Sequence, residues 1–115
     1  MDLDKIKGSI IGLSLGDALG AHHEFKYQKD VYSGKLEYRP RFLNEGSKLL
    51  VIGQRTDDSE MMLTLLRSLL RNSGFNEDDV ILSYLRLANS QTPMLDINTQ
   101  KLFKGIKTLK GYKNR

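Results

Sequence analysis

The clearest pattern of apolar and polar positions follows Thr56. Apolar side chains recur there at intervals of three and four residues, which is the spacing of one face of an α-helix. They are Met62, Leu65, Leu66, Leu69 and Leu70. Thr56 is a favourable N-terminal capping residue, and Asn72-Ser73-Gly74 is typical of a helix end. The pattern predicts a helix over residues 57–71 with its apolar face in the core.

An N-terminal segment also predicts a helix, over residues 4–20, with a cap at Asp2 or Asp4. Its apolar residues are Ile6, Ile10, Ile11, Leu13, Leu15 and Leu19. Four glycines lie four residues apart, at Gly8, Gly12, Gly16 and Gly20. Each interior glycine costs a helix about 1 kcal/mol relative to alanine. We therefore expect a buried helix whose glycine face lets another helix approach closely, with Gly20 as a left-handed cap.

Two further helices are predicted, over residues 77–89, capped by Asn76, and over residues 98–110. A short apolar run at residues 49–52 allows a strand, but we expect it to pack beneath the helix that follows. Most of residues 26–55 lack a regular pattern, which is typical of a long loop. The pattern as a whole predicts an all-α fold of four helices, in one domain over residues 1–115, without an extensive sheet.

Composition narrows the class of protein. The chain has no cysteine, so it has neither disulfides nor a thiolate zinc site, and we expect a cytoplasmic or other intracellular location. The apolar run of the first segment is too short to cross a membrane. Net charge is +4, and residues 101–115 hold six basic residues and no acid. These lysines can form a solvated face or a surface that attracts phosphate.

The triplet Thr56-Asp57-Asp58 admits two interpretations. Acids in the first turn stabilise a helix through its dipole. Alternatively, a hydroxyl and two carboxylates can supply one side of the oxygen shell that Mg²⁺ requires. The adjacent pair His22-His23 could also bind a metal, although a packed or surface pair is the simpler interpretation.

Two motifs favour the cation site. The first is Gly16-Asp17-Ala18-Leu19-Gly20 followed by Glu24-Phe25, and the second is Gly53-x-x-Thr56-Asp57-Asp58-Ser59-x-Met61. In residues, order and separation they resemble the ADP-ribosylglycohydrolase family, whose members are all-α metallohydrolases with paired Mg²⁺ or Mn²⁺ ions. The resemblance implies that Thr56, Asp57 and Asp58 bind metal. It also implies a catalytic position for Glu24, close to metal and substrate. Asp17 then hydrogen-bonds to loop amides or supports the metal ligands.

The chain departs from the family pattern in one respect. Family members are much longer and complete the metal centre with an Asp-x-Asp-Thr motif, which is absent from these 115 residues. We therefore expect the N-terminal part of a hydrolase acting on ADP-ribosylated protein or a small molecule, truncated and inactive by itself, with a complementary chain supplying the missing half. The alternatives are a non-catalytic helical remnant or interaction module and, less favoured, a basic nucleic-acid-binding domain.

Overall fold

Helices dominate the structure, a computed structural model that describes residues 2–24, 41–42, 49–90 and 95–115. They are α1 (Leu3–Gly20), α2 (Asp57–Arg71), α3 (Glu77–Asn89), α4 (Ile97–Phe103) and α5 (Leu109–Lys113). Two short antiparallel strands, β1 (Arg41–Phe42) and β2 (Leu49–Leu50), pair with Arg41 opposite Leu50. The all-α class is therefore confirmed. Most of the predicted loop over residues 26–55 lies outside the described residues.

The chain forms two compact units, Met1–Ser59 and Glu60–Arg115. Among the described residues of the first unit, the buried apolar ones are Leu50, on strand β2, and Ala21, just after α1. Those described in the second unit are Leu85, Leu95 and Phe103. Within the described residues, no helix is long and apolar enough to span a membrane.

Helix α1 begins at a side-chain cap and ends without a left-handed residue. The Asp2 carboxylate accepts the amides of Asp4 and Lys5 at 3.1 and 3.4 Å, so Asp2 is the predicted cap. At the other end, Ala21 keeps a right-handed conformation with φ −56°, and its amide donates to the Asp17 carbonyl. The prediction of Gly20 as a left-handed cap is wrong, because the chain continues in right-handed turns whose amides donate to the Gly20 carbonyl.

The prediction that α1 is a buried helix is also wrong for the part of the chain that the structure describes. No residue of α1 is buried, and Ile11, Leu15 and Leu19 are 65, 57 and 47% exposed. A Cβ added to any of its four glycines would meet nothing within 4 Å. The glycine face is therefore open among the described residues, and the apolar stripe beside it faces solvent.

Helix α2 ends in a Schellman motif. The Gly74 amide donates to the Leu69 carbonyl at 2.9 Å, and the Ser73 amide donates to the Leu70 carbonyl at 3.3 Å. The predicted end at residues 72–74 is confirmed, but the left-handed residue is Ser73, with φ 52°. The predicted core stripe is less buried than expected, since Leu70 is 72% exposed.

A network around Asp79 joins α2 to α3. The Asp79 carboxylate accepts from Ser68 Oγ at 2.5 Å, from Arg71 Nη2 at 2.6 Å and from Asn72 Nδ2 at 2.8 Å. Its own amide donates to Asn76, the predicted cap of α3. Hydrogen bonds from Arg71 and Ser68 lower the pKa of Asp79 to about 2. Ionised Asp79 therefore holds the α2–α3 connection.

Residues predicted as one helix over 98–110 form two. Helix α4 stops at Phe103, and Gly105 takes a left-handed conformation with φ 75°, which breaks the helix. Thr108 then caps α5 by accepting the Gly111 amide at 3.0 Å. Both short helices pack on α3: Asn89 Nδ2 donates to the Ile106 carbonyl, and Lys113 forms an ion pair with Asp78.

The Asp79 network predicts a pH-dependent stability. The folded state lowers the pKa of Asp79, so its stabilisation is present above the ordinary value near 3.8 and is lost as pH falls towards about 2. We expect Asp79→Asn to lower the melting temperature at pH 7, and the difference from wild type to shrink steadily below pH 4. Asp78→Asn, which removes the ion pair with Lys113 but leaves the Asp79 network intact, is the matched control. A difference independent of pH would contradict this assignment.

The exposed stripe of α1 predicts association of the 115-residue polypeptide, because large exposed apolar faces drive self-association. We expect oligomers or a partly molten state in analytical ultracentrifugation and dye-binding measurements. Leu15→Glu should reduce both signals, whereas Lys7→Glu on the same helix should change them little. A monodisperse wild-type monomer that binds no dye would contradict the prediction.

Candidate metal and substrate site

An open cleft of about 550 Å³ lies in the first unit, where the end of α1 meets the start of α2. Its volume falls within the range of about 300–1,000 Å³ that is usual for small-molecule sites. The described residues that line it are Leu13, Gly16, Asp17, Gly20, Ala21, His23, Glu24, Thr56 and Asp58. The cleft therefore joins the two sequence motifs, although about 30 residues separate them in the chain.

Asp17 connects the two motifs through hydrogen bonds to the start of α2. Its Oδ2 accepts the amides of Thr56 and Ser59, at 2.8 and 3.1 Å, and the Ser59 hydroxyl at 2.5 Å. Its Oδ1 accepts the Thr56 hydroxyl at 2.5 Å. Hydrogen bonds to a charged group each contribute about 1.5–3 kcal/mol. One carboxylate on α1 thus fixes the backbone and both hydroxyls at the start of α2.

The environment keeps Asp17 ionised. Burial raises the pKa of its carboxyl, but hydrogen bonds from Ser59 and Thr56 outweigh burial and hold the pKa below its ordinary value. Of the two predicted roles for Asp17, hydrogen bonding to backbone amides is confirmed. Support for metal ligands stays a prediction.

Thr56 occupies the position before α2, as predicted, but the capping oxygen is not its own. In an ordinary cap the side chain that precedes the helix accepts the third amide of the helix. Here that amide belongs to Ser59, and Asp17 accepts it. The Thr56 hydroxyl instead donates to Asp17 and is buried, at 5% exposure. The sequence motif includes Ser59, but its contact with Asp17 was not expected.

The structure brings three of the four predicted site residues to the cleft. Thr56, Asp58 and Glu24 line it, and the last two are exposed to solvent. Asp57 is half-buried in the first turn of α2 and is not among the lining residues. Asp58 and Glu24 therefore border the same space, while Asp57 occupies the adjacent helical position, about 100° around the axis.

These residues fit one side of a hard-cation site. A threonine oxygen and carboxylates are the oxygen donors that Mg²⁺ and Mn²⁺ take. Among residues 2–24, 49–90 and 95–115, however, no three histidine, cysteine or acidic side chains are grouped to hold a metal. The described part of the chain thus has oxygen donors at the cleft but no closed metal site.

The two histidines differ in environment. His22 is buried, at 3% exposure, whereas His23 is half-buried and lines the cleft, with its Nδ1 3.2 Å from the Leu19 carbonyl. The packed pair was the simpler of the two sequence interpretations, and burial of His22 agrees with it.

The basic C-terminal residues are partly used within the second unit. Lys113 pairs with Asp78, and the Arg115 guanidinium donates to the carbonyls of Leu102 and Lys101. Arg115 thus ties the segment after α5 to α4. A structural role therefore accounts for these two cations, while Lys101, Lys104, Lys107 and Lys110 remain exposed.

Comparison with known proteins identifies the family. The model of the family described as ADP-ribosylglycohydrolase matches residues 1–114. The ADP-ribosyl-[dinitrogen reductase] glycohydrolase of Rhodospirillum rubrum is 36% identical over 77 residues, which cover 67% of this chain and 26% of that protein. The ADP-ribosylhydrolase ARH3 of Xenopus tropicalis is 31% identical over 85 residues, 68% of this chain and 22% of that protein. No solved structure matches.

The chain spans about a quarter of the length of these curated relatives. The family match nevertheless extends over nearly all of its residues, including α1, the cleft and α2. The chain therefore belongs to the ADP-ribosylglycohydrolase family.

Proposed function

We propose that this chain provides one part of the metal- and substrate-binding site of an ADP-ribosylglycohydrolase-like hydrolase. The observation that carries the proposal is the single cleft at which Asp17, Glu24, Thr56 and Asp58 meet. Family membership supplies the reaction class, and the two relatives are named for the removal of ADP-ribose. The substrate is an ADP-ribosylated protein side chain or small molecule.

The proposed reaction is hydrolysis of the glycosidic bond at the ribose C1″. The bond between C1″ and the modified side chain breaks, the oxygen of water bonds to C1″, and a proton goes to the departing side chain. Mg²⁺ or Mn²⁺ would bind ribose hydroxyls and make the water more acidic. Thr56, Asp57 and Asp58 would hold the cation, and Glu24 would accept hydrogen bonds or a proton at the cleft.

A non-catalytic helical module is the second candidate. The described residues lack a group of three acidic or histidine side chains able to close a metal site, and α1 exposes an apolar stripe. Both features suit a polypeptide that binds another protein segment. Measurements of cation binding and of hydrolase activity distinguish the two candidate functions.

Cation binding is the first test. We expect titration calorimetry to show weak binding of Mg²⁺ or Mn²⁺, because few protein oxygens leave most of the shell to water. Asp58→Ala and Asp57→Ala should each weaken it, the former more, since Asp58 lines the cleft. Asp4→Ala is the matched control, because Asp4 is an acid in the first turn of α1. Equal cation affinity in the wild type and all three variants would mean that Asp57 and Asp58 only stabilise the start of α2.

Activity is the second test, with release of free ADP-ribose from ADP-ribosylated arginine or serine peptides as the assay. The 115-residue polypeptide alone should show little turnover with Mg²⁺, since an incomplete set of ligands leaves the ion misplaced. Misplacement by about 1 Å can lower a rate about 100-fold. A polypeptide that carries an Asp-x-Asp-Thr motif should restore part of the activity. Robust turnover by the polypeptide alone, abolished by Asp57→Ala, would contradict the expected dependence on a second part.

A further inference from the structure

The two oxygens of the Asp17 carboxylate have different tasks. Oδ2 accepts three donors, the amides of Thr56 and Ser59 and the Ser59 hydroxyl. Oδ1 accepts the Thr56 hydroxyl. Because backbone amides hold Oδ2, the carboxylate cannot rotate without breaking the start of α2, and Oδ1 is fixed against Thr56.

We propose that Asp17 is a positioning residue that takes the hydroxyl proton of Thr56 in a hydrogen bond, so that the Thr56 oxygen offers its lone pairs to a cation in the cleft. The inference rests on the proposed metal site and adds to it a residue that is not itself a ligand. Asp17 acts on the cation only through the orientation of one O–H bond.

The chemistry of a hydroxyl explains why the orientation matters. It has one proton and two lone pairs, and its proton otherwise rotates to suit its surroundings. A cation requires a lone pair and is repelled by the proton. An ionised carboxylate only accepts, so the Thr56 hydroxyl proton points towards Asp17. Groups that hold metal ligands in this way typically change metal affinity or activity about 10–100-fold.

The variant Asp17→Asn inverts this polarity while keeping the shape of the side chain. The two amides of Thr56 and Ser59 require an acceptor, so the side-chain oxygen of the introduced asparagine must replace Oδ2. The NH₂ group of that asparagine then faces the Thr56 hydroxyl and donates to it. That bond occupies a lone pair of Thr56 and turns the hydroxyl proton away from position 17. Helix α2 keeps its cap, but the ligand is misdirected.

Mn²⁺ affinity of the full 115-residue polypeptide, measured by calorimetry, tests the inference through a double-mutant cycle. The proteins are wild type, Asp17→Asn, Thr56→Val and the double variant. Asp17→Asn should bind Mn²⁺ about 10–100-fold more weakly than wild type. In the Thr56→Val background the same change should have little further effect, because the hydroxyl through which Asp17 acts is gone.

Ser59→Ala is the structural control, since it removes one bond to Oδ2 and leaves the Thr56 hydroxyl untouched. It should lower the metal-free melting temperature yet keep Mn²⁺ affinity near that of wild type. Equal loss of affinity in Ser59→Ala and Asp17→Asn would overturn the inference, and so would an Asp17→Asn effect that persists with valine at position 56. Either result leaves the metal site standing, whereas wild-type protein that binds no Mn²⁺ overturns both proposals.

Discussion

The first unit depends on one ionised carboxylate. Asp17 lies one turn from the end of α1, where the helix dipole disfavours an acid. That cost is offset by four donors from residues about 40 positions further along, two amides and two hydroxyls of Thr56 and Ser59. The same contacts cap α2, join the two family motifs and line the cleft. Structure and site therefore share a single interaction, and a variant at Asp17 affects both.

The second unit uses the same device for a purely structural purpose. Asp79, in the first turn of α3, accepts from Ser68, Arg71 and Asn72 on or just after α2. In both units an acid on one helix receives hydroxyl and N–H donors from a neighbouring one. The cleft lies beside Asp17, whereas the network of Asp79 includes the cation Arg71, which neutralises it. The donors to Asp17 that the structure describes are neutral amides and hydroxyls, so its negative charge suits a cation nearby, whereas Arg71 already neutralises Asp79.

Local signals in the sequence were sufficient to predict three helices and the caps of two of them, because Asp2 and Asn76 accept amides only two or three residues away. Local signals were insufficient where the hydrogen-bond acceptor lies far away in the sequence. The bond from Ser59 to Asp17 spans 42 residues, and nothing near Ser59 indicates it. The break between α4 and α5 was missed although Gly105 and Thr108 mark it, because the apolar spacing continues through it. For the candidate site, the two sequence motifs identified the residues. Only the structure shows that Asp58 lines the cleft and that Asp57 is not among its lining residues.

Helix α1 has the composition of a buried helix, yet most of its apolar residues are exposed among the described residues. Glycines four apart cost the helix stability, and no described residue occupies the space beside them. An exposed apolar stripe next to that open face adds a further cost in water. Both costs would be offset by one packed apolar element. In the curated relatives about three quarters of the sequence lies outside the aligned region, which is long enough to supply such an element. Leu13 and Gly16 of α1 also line the cleft, so an element packed on this face of the helix would border the cleft as well.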